Sequence, residues 1–204
     1  MSNDAKKIFG DLLAEMLSKR VTSRLKIKST KDTIKVFSDR WKKTLGHLEF
    51  VYLGGQKAYY LAISATSDEF SEFISNMNPP YKSNKPDGFN HHFSMSTLME
   101  NRGVFSRSGG TIYLPSKPEH ISETISHIEN VLNSTYIPLL ERFVRFSPEL
   151  VGDILANPDY YSYPIPLVVF ALKANSLHSD FIKTNINRKA IKNSEFDKKI
   201  LNEI

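Results

Sequence analysis

The stretch "HLEFVYLGGQKAYYLAIS", residues 47–64, decides the fold class. Two runs rich in β-branched, aromatic and other apolar residues flank Gly54–Gly55. A glycine pair between such runs can supply the positive φ of a tight turn, so the sequence predicts a β-hairpin. Apolar residues occupy both alternating registers of each run, which predicts strands covered on both faces and therefore central in a sheet.

Working towards the N-terminus, "RLKIKSTKDTIKVF" (24–37) alternates Leu25 and Ile27, turns near Lys31–Asp32 and resumes with Ile34 and Val36. It predicts a second hairpin with one wet, lysine-lined face. Residues 4–20 place Ile8, Leu12, Leu13, Met16 and Leu17 at spacings of three and four. That is an amphipathic helix, with acids early and Lys19–Arg20 late, as the helix dipole favours.

Towards the C-terminus, "SDEFSEFISNM" (67–77) predicts a helix that faces inward through Phe70, Phe73, Ile74 and Met77. "NPPYKSNKPDGFN" (78–90) carries three prolines and a glycine and predicts a long surface loop. "HHFSMSTLM" (91–99) and "GVFSRSGGTIYL" (103–114) read as strands, the second as a hairpin around Gly109–Gly110. From residue 116 the pattern turns helical. "SKPEHISETISHIENVL" opens with a capping box, Ser116 with Glu119, and lines up Ile121, Ile125, Ile128 and Leu132. Ser147 caps a helix with Pro148 at its first position and an Asn157–Pro158 stop, and a last helix starts at Ser194. The apolar run 160–177 reads as buried. Strands first and helices after predict one α+β domain over residues 1–204, sheet-rich to 115 and helical from 116, with the helices on one face of an antiparallel sheet.

Composition narrows the function. Cysteine is absent, which removes disulfides and thiolate chemistry and suits a reducing compartment, so the cytoplasm is expected. No apolar run reaches 18 residues and the first residues carry Asp4, Asp11 and Glu15, so neither a membrane span nor a secretory signal is expected. Residues 1–46 hold twelve Lys or Arg against five Asp or Glu, whereas residues 47–204 hold fifteen against seventeen. The basic quarter suits an acidic partner, and Lys26, Lys28, Lys31, Lys35, Arg40, Lys42 and Lys43 form the candidate binding surface. Phe37 and Trp41 lie among these cations and are either core residues or stacking platforms for nucleic acid.

Catalytic readings find little. The histidines are His47, His91, His92, His120, His127 and His178, and no helical His-x-x-x-His pair accompanies a glutamate. In a strand over 91–98, neighbours point to opposite faces, so the expectation is an inward His91 and a solvent-facing His92 that cannot share an ion. Gly-x-Ser-x-Gly, P-loop and dinucleotide fingerprints are absent. Glu49 lacks the Lys of a strand-borne Glu-x-Lys, and Asp68–Glu69 suits a helix start better than a carboxylate pair. No metal, cofactor or catalytic residue is expected.

The segments "FNHHFSMSTLMEN" (89–101) and "ISHIENVLNSTYIPLLERFVRFSPEL" (125–150) carry a resemblance. The first resembles the "cHWRxRxGxLM" strand of the bacterial domain-of-unknown-function 4304 family. The second resembles that family's helix into an "lPfLerf" turn, matched here by Ile137, Pro138, Leu139, Leu140, Glu141, Arg142 and Phe143. Phe93, Met95 and Thr97 stand where the family has its tryptophan and arginines. The resemblance implies a non-enzymatic bacterial domain, and by analogy an immunity protein that neutralises a cognate toxin domain by direct binding. Read without the family, Pro138 ends the helix before it, and Phe143 and Phe146 stack under the next one. Nucleic acid is the alternative partner.

Overall fold

The computed structural model describes residues 3–88, 91–100, 103–106, 109–178, 182 and 188–203. The helices are α1 (Asn3–Lys19), α2 (Asp68–Met77), α3 (Glu119–Val131), α4 (Ile137–Arg145), α5 (Pro148–Ala156), α6 (Pro164–Ala174) and α7 (Ser194–Asn202). The strands are β1 (Ile27–Ser29), β2 (Thr33–Phe37), β3 (Thr44–Leu53), β4 (Ala58–Ser67), β5 (Phe93–Ser96) and β6 (Ile112–Tyr113). They bond in the order β1-β2-β3-β4-β5, and β6 also pairs with β4. This is an α+β fold: an N-terminal helix, an antiparallel sheet of hairpin-linked strands, and C-terminal helices.

Two compact units divide the chain, each discontinuous in sequence. The first comprises 1–37, 46–63 and 95–141; the second comprises 38–45, 64–94 and 142–204. The hairpin read from residues 47–64 is β3–β4, and buried and half-buried side chains alternate from Thr44 to Val51 and from Tyr59 to Ser67. Its turn differs from expectation. The positive φ falls on Lys57, at 50°, and on neither Gly54 nor Gly55. The four-residue loop closes through Gln56 N–H to Leu53 C=O and Lys57 N–H to Gly54 C=O, which moves the left-handed residue to the last position.

In the first unit, Ile34, Val36, Leu48, Phe50, Leu61 and Ile63 form the buried face of the sheet. Helix α1 contributes Phe9, stacked on Tyr59 at 5.4 Å, with Leu13, Met16 and Leu17. Ile8, expected in that stripe, is 47% exposed, and Phe9, one turn before Leu13, is buried in its place. Helix α3 buries Ile121, Ile125, Ile128 and Val131 as its period requires. The capping box does not form: Pro118 stands at the cap position and no side chain bonds the helix start. Pro138 does not end α3 either. Residues Leu132–Tyr136 widen into a π-turn and the helix continues as α4. A π-turn shifts the carbonyl ladder by one residue, which lets a helix accommodate a proline that lacks an N–H. The same turn presents Asn133, whose amide accepts from Thr22 N–H at 2.9 Å and donates to Arg20 C=O at 3.1 Å, tying down the end of α1.

The expected hairpin at 103–114 is also corrected. Residues 107–108 lie outside the described residues, and among the described ones only Ile112–Tyr113 is strand, paired with Ala58 and Tyr59 of β4. The insertion between β5 and β6 is clasped at its ends. Thr97 Oγ1 donates to Gly110 C=O at 2.7 Å and accepts from Leu61 N–H at 3.0 Å.

In the second unit, α2 is capped by Ser67, whose hydroxyl accepts from Phe70 N–H, and it buries Phe70 and Ile74. The apolar run within 160–177 is buried as read, with residues 161–169, Ala171 and Leu172 inside, whereas Lys173 and Ser176 are exposed. Phe170 gathers Trp41, Phe70, Phe73 and Phe146 around its ring within 5.8 Å. Helix α5 begins and ends as expected, although Ser147 directs its hydroxyl to Glu149 and not to the helix start. Asn193 caps α7, one residue before the expected Ser194. The loop that follows α2 is anchored: Asn84 bonds Ser162 and Pro158, Lys85 Nζ donates to Ser94 C=O, and Tyr81 donates to the buried Asp197 at 2.7 Å. Its residues 89–90 lie outside the described ones.

Candidate functional site

The seven cations proposed from the sequence fall into both units. Lys26, Lys28, Lys31 and Lys35 belong to the first; Arg40, Lys42 and Lys43 belong to the second.

The first group is built by the β1–β2 hairpin. Antiparallel pairing sets Ile27 against Val36, Lys28 against Lys35 and Ser29 against Ile34. Side chains alternate, so buried Ile34 and Val36 draw Ile27 and Ser29 to the inner face and send Lys26, Lys28, Lys35 and Phe37 to the outer one. Lys28 and Lys35 are thus two like charges directly opposed, an arrangement that costs stability. Among the described residues, Lys26, Lys28, Lys31 and Lys35 make no ion pair. Lys26 lies over the Phe37 ring at 5.9 Å. Lys31 leans its stem beside α1, where a Cβ on Gly10 would lie 4.0 Å from its Cε.

Phe50 N–H bonds Asp32 C=O at 2.8 Å, and this register sets His47 of β3 opposite Lys35. Partial burial holds the His47 imidazole below its ordinary value and the Lys35 charge adds to that, while Glu49 opposes both. The outer face of this unit therefore carries an uncompensated basic strip flanked by one neutral histidine and one carboxylate.

The second group does not form a free basic surface. Arg40 donates to Ala174 C=O at 2.7 Å and stacks on Trp41 at 4.7 Å. Lys43 pairs with Asp68 at 3.0 Å, which holds its ammonium above the usual range. Lys42 is exposed. Trp41 packs on Phe146 and Phe170, so it belongs to the core reading and not to a stacking platform.

The histidine pair comes out reversed. His92 is fully buried and His91 is the exposed one. The strand starts at Phe93, two residues later than expected, so strand alternation never governs the pair. His92 Nδ1 faces Gly88 C=O at 3.1 Å; its Nε2 faces Ser67 C=O at 2.9 Å and Ser71 Oγ at 3.0 Å. Burial pushes its pKa down, more than the two carbonyls lift it. A neutral ring that donates from Nδ1 to Gly88 and accepts from Ser71 satisfies this geometry. The Ser71–His92 contact is no nucleophile pair, because the ring is fully buried. His91 lies 3.6 Å from Asp87.

Asp68 and Glu69 sit in the first turn of α2, as expected. Burial pushes Glu69 up, but hydrogen bonds from its own backbone, Thr44, Ser67 and Lys43 hold it lower overall. His120 is exposed on α3 and His178 is exposed after α6; His127 contacts Phe105 C=O through Nε2 at 3.1 Å. Among the described residues no three of His, Asp and Glu converge as a metal site would need. No helix among them is long and apolar enough to cross a membrane.

Sequence reading missed Glu100. Burial raises its carboxyl pKa, and the buried Tyr136 hydroxyl donates to it at 3.1 Å. Tyr136 reaches it from the π-turn, 36 residues away, so no local spacing signals the pair. Protein-family models, curated proteins and solved structures contain no match to this chain.

Proposed function

We propose that this chain is a non-catalytic binding protein of the immunity or inhibitor kind, which neutralises a cognate toxin domain by covering it. In this reading it works in the bacterial cytoplasm, and the outer face of β1–β2 receives an acidic surface of the partner. One observation carries the proposal: Lys28 opposes Lys35 with Lys26 beside them, and none of the three makes an ion pair among the described residues. Two opposed ammonium groups weaken the free hairpin, and a carboxylate-bearing partner would turn that repulsion into attraction.

The test is co-expression with the toxin-like product of an adjacent gene. Protection of the cells, together with a purified complex that weakens at least tenfold when Lys28 and Lys35 are both changed to Glu, is the expected result. Unchanged affinity in the double variant overturns it.

A second reading is nucleic-acid binding, favoured by Lys26 over the half-buried Phe37 ring. Its signature is affinity for a single-stranded oligonucleotide that falls steeply with salt. Absence of binding at low salt removes it.

A further inference from the structure

β1 is the last strand of the sheet on its side, and among the described residues nothing pairs with its outward edge. Lys26 C=O accepts from Phe37 N–H, and Thr30 N–H reaches Thr33 C=O, both at 2.9 Å. With the register of Ile27 on Val36 and Ser29 on Ile34, the closely bonded pairs are 26 with 37, 28 with 35 and 30 with 33. The backbone N–H and C=O of Ile27 and Ser29 therefore point away from β2. No described residue bonds them. Leu25 N–H, one step before, is already taken by Ser23 Oγ at 3.0 Å, so the free edge is short.

We infer that this edge receives an extended acidic segment of a protein partner as an added strand. Strand addition uses unpaired backbone groups for affinity and alternate side chains for selection. Here the alternation is set by the hairpin. An incoming residue level with Lys26 or Lys28 lies on the lysine face and has to be Asp or Glu. A residue level with Ile27 or Ser29 turns to the inner face and has to be apolar or small. The same lysines repel a second copy of this edge, because like-for-like pairing would set ammonium beside ammonium. The fitting partner therefore has acids at every second position.

This inference rests on the proposed lysine-face reading and deepens it. The probe is a capped pentapeptide, Glu-Val-Glu-Val-Glu, titrated into the full chain, with amide hydrogen exchange as the site-resolved readout. Exchange is expected to slow at Ile27 and Ser29 and to stay unchanged at Lys28, whose N–H is already bonded to β2. Ser29→Pro removes an outward N–H and no ladder bond, which edge strands tolerate, and is expected to lower affinity at least tenfold. A peptide N-methylated at alternate residues gives the same reading with the protein unaltered. If Lys28→Glu weakens binding while Ser29→Pro and N-methylation leave it unchanged, the lysine face stands and strand addition falls. No binding at millimolar peptide, or no dependence on Lys28, overturns both.

Discussion

Replacing His92 with Phe keeps a ring of similar size and removes both nitrogens. Gly88 C=O then loses His92 Nδ1, its partner at 3.1 Å, and stays buried. The Ser71 hydroxyl, no longer claimed by Nε2, donates to Ser67 C=O at 2.9 Å. One orphaned buried acceptor costs about 1–3 kcal/mol, and the lost net bonds bring the expectation to about 2–3 kcal/mol above pH 7. The pH dependence is the sharper part. The folded-state pKa of His92 lies below 6.5, chiefly through burial, so the folded state favours the neutral ring. That contribution is complete above the unfolded value and is lost as pH falls through it towards the folded one. Wild type weakens by up to about 1.4 kcal/mol per pH unit in that window, and the variant has no such loss. Asp68 lifts the pKa slightly and His91 lowers it, without reversing the direction. Urea unfolding of both proteins at pH 8 and pH 5.5 is the assay. The stability gap is expected to narrow at the lower pH. A gap under about 0.5 kcal/mol at pH 8, or one that widens on acidification, would refute a neutral, hydrogen-bonded His92.

Three further outcomes follow from the same structure. Lys28→Glu replaces a repulsive cross-strand pair with an attractive one, so thermal unfolding should show about 0.2–1 kcal/mol of added stability even as acidic-partner binding falls. Gly110→Ala sets a Cβ at φ +64° and 1.8 Å from Thr97 C=O. The left-handed penalty and the broken Thr97 clasp together should cost about 3 kcal/mol by urea unfolding. Arg142 grips Asp153 through Nε at 2.5 Å and Nη2 at 3.3 Å, a fork that lysine cannot copy. Arg142→Lys should therefore lose about 1–2 kcal/mol, more than a fully exposed pair would.

The legible parts of this chain are those set by local backbone periodicity. Residues 47–64 hold two short β-rich apolar runs around a glycine pair, Ile121, Ile125 and Ile128 recur at a helical spacing, and both elements form where they are read. The lysine face was legible for the same reason, since Lys26, Lys28 and Lys35 alternate with residues that must be buried.

What only the tertiary structure decided depends on partners distant in sequence. His92 is inside because its N–H and ring bond Ala65, Ser67 and Gly88, which delays the start of β5. Neighbouring residues alone cannot tell which of two adjacent histidines those groups will claim. Register did the same for the cations. Of seven basic residues close in sequence, Lys26, Lys28, Lys31 and Lys35 make no ion pair among the described residues, while Arg40 and Lys43 are taken up by Ala174 and Asp68. Residue order places charges along a chain; cross-strand pairing and burial determine which of them remain free to meet a partner.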